Sequence, residues 1–322
     1  MYYPYLRGRQ NELLCLRELL EKDKLSKKVI PVIEPVRWSS TFFSTIKKFV
    51  EKDREIIIIK NPEVGSFLKE YREKIGKIEE LEPSDKKEKQ KKIVEEYKEL
   101  LKDSHIISAY INNSKFLQRI DDASIDLANK YVINKNRGDF RSYEEYGEAL
   151  EAKVAFIPNS FDFLDVVESD KVLLEDCFTK ARRNVDYIEN EVEFFSKNHL
   201  VYKKRGYDGF SDYSIVGDEY EESGFAPLAV AIHVVYFNEK NDLMVRHFVS
   251  DSNENISDPG GKFGEAVEKL AKWVEAGNVK KTEGLKELLN YYKSGKFPGL
   301  GVIKKLSIKH HIELRGDFEE NE

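Results

Sequence analysis

The 322-residue sequence predicts an α/β fold, a distorted (β/α)8 TIM-like barrel carrying an inserted charged helical hairpin. Three observations predict it. Eight β-rich runs lie between residues 29 and 237, helical segments separate the first seven, and polar residues recur where the runs end. Strands alternating with helices imply parallel pairing through right-handed crossovers. An open mixed α/β sheet is the alternative. The chain reads as one domain over 1–322, with 67–102 as the helical insertion and 260–316 as a C-terminal helical region.

After an aromatic opening, residues 11–25 have an apolar side at helical spacing, with Leu13, Leu16 and Leu20 on it. Residues 29–33 form a short strand ending at Glu34 and Pro35, and 41–50 is helical. The run EIIII at 55–59 is the continuous apolar stretch of a strand covered on both faces, ending at Lys60. In 67–102, Lys and Glu alternate at helical spacing around a break at Pro83 and Ser84, which predicts a solvated helical arm. Strands follow at 105–111, 131–133, 154–157 and 172–174, separated by helices at 114–129, 143–150 and 161–167. A helix at 185–195 and the polar link 203–209 lead to strands at 213–216 and 228–237.

The link 221–227 is too short for a helical crossover, so the last two strands are read as antiparallel or joined by an unusual loop. A run at 243–249 follows the polar turn 238–242 as a hairpin. Helices are expected at 263–275 and 282–292, the tail 299–316 is unassigned, and 317–322 is expected to fray.

A hydrophobic content of 40% supplies a large core, and a net charge of −6 spread over both signs argues against general nucleic-acid binding. Cys15 and Cys177 stand far apart beside apolar residues, which predicts buried thiols and no disulfide framework. The sequence has no apolar signal core and no stretch of membrane-crossing length, so the expectation is a cytoplasmic protein with no membrane partner.

In a barrel the strand ends converge on one mouth. That rule gathers Glu34, Lys60, Asn112, Lys135, Asn159, Glu175, Asp218 and His233, with Glu219 and Asp176 beside them. Glu34, Lys60, Glu175, Asp218, Glu219 and His233 are the catalytic candidates. Asn, Asp and Pro also end strands for turn geometry alone, but Lys is no turn former, and Lys60 or Lys135 can hold a phosphate or carboxylate. The carboxylates can act as an acid and base pair or ligate a divalent metal, with His233 or His247 adding nitrogen; no metal-binding motif specifies this. His233 within an apolar strand is more often a hydrogen-bonded core histidine than a catalytic one. Gly260 and Gly261 in DPGGK open a helix and can bind an anion through backbone amides, although DPGG also serves as a plain helix entry. Arg7 and Arg9 are secondary candidates, and His310 and His311 are read as a solvated helix face or edge strand.

The opening YYPYLRGRQNELLCLREL and the segment IPVIEPV, through Tyr3, Pro4, Tyr5, Glu12, Pro31, Ile33 and Glu34, resemble the phage beta-protein family and its bacterial relatives. GFSDYSIVGDEY is a second block similar to bacterial members. The resemblance covers most of the chain and implies a phage-related or phage-defence setting in which Glu34 and this block act together. It transfers no catalytic motif. The expected function is a hydrolase acting at the mouth on an anionic or phosphate-bearing small molecule or nucleotide. The alternative is a non-enzymatic sensor, or a subunit that binds a protein partner.

Overall fold

The computed structural model describes residues 1–80, 84–122, 125–222 and 227–321. The break read at Pro83, residues 123–124 of the helix read at 114–129, and 223–226 of the link 221–227 lie outside them. The chain runs β1 (Tyr2–Leu6), α1 (Gln10–Glu21), β2 (Val32–Ile33), α2 (Ser40–Glu51), β3 (Ile56–Ile59), α3 (Phe67–Glu80), α4 (Asp85–Leu100), β4 (Ile106–Ile111) and α5 (Ser114–Asp121). It continues through β5 (Tyr131–Ile133), α6 (Phe140–Tyr146), β6 (Val154–Ile157), α7 (Phe161–Val166), β7 (Asp170–Glu175), β8 (Val192–Ser196) and α8 (Asn198–Val201). It ends with β9 (Gly209–Asp212), β10 (Ala231–Phe237), β11 (Leu243–Val249), α9 (Pro259–Glu275), α10 (Glu283–Lys293) and α11 (Leu300–Asn321).

Eight parallel strands close into a barrel in the order β1-β2-β3-β4-β5-β6-β7-β9, which excludes the open-sheet alternative. The strands are short and apolar because both faces are covered. Ile57 and Ile59 of β3 join the interior with Tyr5, Ile133 and Phe156, while Ile56 and Ile58 face the helix layer. Closure is made by β1 against β9, where Tyr3 pairs with Ser211 and Pro4 with Asp212. Gly209 opens β9 because a Cβ there would lie 2.6 Å from the Tyr3 ring.

The expected count of eight barrel strands is right, but two members differ. The aromatic opening is itself the first strand; Pro4 disguises it, since proline inside a run argues against a paired strand. The stretch 213–216 is a 3-10 turn directly after β9. The run 228–237 leaves the barrel: β10 forms the expected antiparallel hairpin with β11, and β8 completes a three-stranded sheet ordered β10-β11-β8. The helix expected at 185–195 is a 3-10 turn followed by β8, because Val185, Ile188, Val192 and Phe195 mimic helical spacing.

The inserted hairpin is α3 and α4, anchored where Trp38, Phe43, Tyr71 and Tyr97 pack ring on ring. The unassigned tail is α11, which continues through the residues expected to fray. It lies over the seam between β1 and β9, with the Arg315 guanidinium 5.3 Å from the Tyr2 ring and 4.6 Å from that of Phe210. His310 and His311 are fully buried on it rather than solvated. His311 Nδ1 meets Ser214 Oγ at 2.9 Å and His310 Nδ1 meets Thr282 Oγ1 at 2.7 Å. With Lys309 and Arg315 also buried, α11 has no apolar stripe to betray it. No helix among the described residues is long and apolar enough to cross a membrane.

Candidate functional site at the barrel mouth

Pleating sorts the residues at the strand ends, because successive side chains point to opposite faces. Tyr5, Val32 and Ile133 face the barrel interior, so Arg7, Glu34 and Lys135, each two residues further on, turn into the mouth. Glu34 is fully buried. Its Oε2 accepts from the Tyr5 hydroxyl at 2.7 Å and from Arg7, and lies 3.5 Å from Lys135 Nζ. Its Oε1 accepts from the Glu63 amide at 2.8 Å. Burial pushes the Glu34 carboxyl up, but Lys135, Arg7, the Tyr5 hydroxyl and the Glu63 amide together hold it below the ordinary carboxylate range. Lys135 also pairs with Glu63 at 3.1 Å.

Asp218 joins this group through its backbone. Its carbonyl accepts from Arg7, and its amide donates to Asp176 Oδ2 at 2.9 Å. Arg9 donates to the Glu221 carbonyl and stacks 4.8 Å from the Tyr220 ring, and Arg37 pairs with Glu222 at 2.8 Å. Arginines from the first two strand ends thus tie residues 218–222 to the mouth. Glu219 points away to an exposed pair with Lys180 at 3.2 Å. The Asp176 carboxyl is lifted by burial, against the amides of Asp218 and Phe178, with Asp218 adding to the lift.

Lys60, Asn112 and Glu175 have the opposite parity. Lys60 follows Ile58 on the side of the helix layer, half-buried and without a side-chain partner among the described residues, and burial lowers its ammonium to about 8. Asn112 donates to Asn134 Oδ1 at 2.8 Å, and Asn134 donates to Tyr143 and to the Phe156 carbonyl, each at 3.0 Å. Glu175 accepts from Asn198 Nδ2 at 2.6 Å.

A cavity of about 610 Å³ opens between the ends of β5, β6 and β7 and the edge strand β8. Lys135, Asn159, Glu175 and Asp176 line it, together with Arg137, Cys177, Phe194, Phe195, Lys197, Asn198 and Arg205. Its cations outnumber its acids four to two. Arg137, Lys197 and Arg205 have no ion pair among the described residues, whereas Glu175 and Asp176 are held by Asn198 and by backbone amides. Sequence reasoning missed those three cations. Arg137 stands two residues past the strand-end Lys135, and Arg205 closes a KKR run that passes for a link. Cys177 lies here with its thiol pushed well up by burial, which disfavours the thiolate.

His233 is not at the mouth but in mid-strand on β10, opposite His247 on β11, with the two Nδ1 atoms 2.7 Å apart. Burial and the neighbouring His247 hold His233 well below its usual range, and burial pushes His247 down to about 4, so both are neutral at pH 7. They pack against the Tyr187 ring at 4.6 and 4.5 Å, which is the core-histidine alternative. Gly260 and Gly261 lie in the first turn of α9, which packs on β10 and β11 rather than at the mouth. Asp258 Oδ1 already accepts from the Gly261 amide at 2.8 Å, so the candidate anion site is filled by the helix's own cap. Among the described residues no group of three His, Cys, Asp or Glu side chains is placed to hold a metal ion.

Comparison with family models, curated proteins and solved structures found no match to this chain.

Proposed function

We propose that the protein binds a phosphate-bearing or otherwise anionic small molecule in the mouth cavity. One observation carries this reading: Arg137, Lys197 and Arg205 border one concave space without ionic partners among the described residues, while the acids beside them are already satisfied. Guanidinium and ammonium groups in that state are matched by phosphate or carboxylate oxygens. The loops at the C-terminal ends of barrel strands are the usual place for such a ligand. Glu34, neutralised by Arg7 and Lys135, orders the mouth and is withdrawn from acid and base work.

As a binding protein it serves as a sensor subunit, and the resemblance of its opening and of GFSDYSIVGDEY to phage beta-proteins supports a phage-related or defence setting. Hydrolysis is a second reading, favoured by Asp176, whose lifted carboxyl lines the same cavity as the cations and suits a proton-transfer role. Calorimetric titration with pyrophosphate and sugar phosphates tests both. Binding is expected, weakening about tenfold in Arg205→Ala; no binding to the wild type, or equal binding to the variant, rejects the site. Phosphate release that is lost in Asp176→Asn while binding persists supports hydrolysis, and its absence in the wild type leaves the sensor reading.

A further inference from the structure

The cavity has an apolar wall that an anion alone does not use. β8 is the edge strand of the three-stranded sheet, and its register against β11 shifts at Phe195, between Phe194 opposite Met244 and Ser196 opposite Leu243. Phe195 is 3% exposed and packs edge-on to His311 at 5.1 Å, whereas Phe194, also lining the cavity, is 54% exposed. A single exposed aromatic is ordinary on a protein surface, but this one stands in a concave space lined by cations, where a ligand with a flat face can cover it. Among the described residues Phe194 makes no ring contact with another aromatic side chain, although Phe195 beside it does.

We infer that the occupant of this cavity is a nucleotide, with its phosphate on Arg137, Lys197 and Arg205 and its base stacked on Phe194. This rests on the anion-binding reading and names the ligand class within it. A base offers a flat π-face of the kind that stacks on exposed phenylalanine, and stacking tolerates any base because every base has such a face. The cavity, at about 610 Å³, lies in the range of about 300–1,000 Å³ typical of small-molecule sites. The chain's net charge of −6 disfavours the longer nucleic-acid strand that the same chemistry recognises elsewhere.

The test is calorimetric titration of the full chain with AMP, GMP, CMP and UMP, and with ribose 5-phosphate, which has the phosphate and sugar but no base. At least one nucleotide is expected to bind about tenfold or more tightly than ribose 5-phosphate. Phe194→Ala is expected to erase that advantage while leaving ribose 5-phosphate binding unchanged, and Phe194→Tyr to keep it. Because Phe194 is exposed, the melting temperature of the alanine variant serves as the folding control. Ribose 5-phosphate binding as tightly as every nucleotide overturns the base site and leaves the anion site standing. An advantage that survives Phe194→Ala also overturns it. Failure of every ligand to bind rejects both.

Discussion

Replacing Glu34 by glutamine tests whether the ion group under the mouth holds the barrel together. In the wild type one carboxylate, fully buried, answers Arg7, Lys135, the Tyr5 hydroxyl and the Glu63 amide at once. Glutamine keeps the shape but removes the charge, and its amide nitrogen must face either the cations or the Glu63 N–H, neither of which accepts a hydrogen bond. Arg7 is 5% exposed and would keep its positive charge facing a neutral amide, the Asp218 carbonyl and the Tyr5 and Tyr213 rings in place of a carboxylate. Removing one partner of a buried ion pair costs about 3–5 kcal/mol. Unfolding entropy scales with length to about 0.7 kcal/mol/K for 322 residues, so the melting temperature should fall by about 4–7 °C at pH 7.

Calorimetric melting of Glu34→Gln, Arg7→Met and the double variant measures it. The double variant should be less destabilised than the sum of the singles, because no unpaired charge is left behind. The sign with pH follows from the direction of the shift. A carboxyl held lower in the folded state than in the unfolded one stabilises fully above its unfolded value of about 4.3 and loses that contribution as pH falls toward the folded value. The gap between wild type and variant should therefore close in acid. A fall of less than about 1.5 °C at pH 7, or strict additivity of the two substitutions, would refute this account of the mouth.

Lys60 and Gly284 give two further predictions. Burial lowers the Lys60 ammonium to about 8, below its unfolded value of about 10.4, so the unfolded chain binds more protons between those limits and stability contributed by this group rises with pH across them. Lys60→Met should accordingly melt higher than the wild type at pH 7, with the advantage gone above about pH 10.5; an advantage that persists there contradicts it. A Cβ on Gly284 would lie 2.5 Å from the Leu306 carbonyl oxygen and 2.7 Å from the His310 amide nitrogen, so Gly284→Ala must push α10 off α11. Overpacking of that kind costs about 1–3 kcal/mol, and a melting temperature equal to or above that of the wild type would show that the two helices give way freely.

How much of the site was legible follows from the same geometry. Glu34 and Lys135 stand just past strand ends, which can be read locally, whereas Asp218 follows a 3-10 turn and not the strand expected there; the structure links all three through Arg7 and Glu34. Lys60 and Glu175 are also strand-end residues, but the pleat turns them the other way, and parity past a strand end depends on where the ladder stops. His233 was misplaced with its strand. Arg137 and Arg205 sit on 3-10 turns and Lys197 just before α8, and their convergence has no local signature.

By itself, the sequence determined the alternation of short apolar runs with helices, the inserted hairpin α3–α4 and the β10–β11 hairpin. All of these are contacts between neighbours in the chain, and spacing encodes them. Only the tertiary structure decided which strands close the ring, since the seam pairs Pro4 with Asp212 across most of the chain. It also decided that α11 covers that seam with Lys309, His310, His311 and Arg315 buried. Buried polar groups are stabilised by partners that come from elsewhere in the fold, so hydropathy along the helix cannot announce their burial.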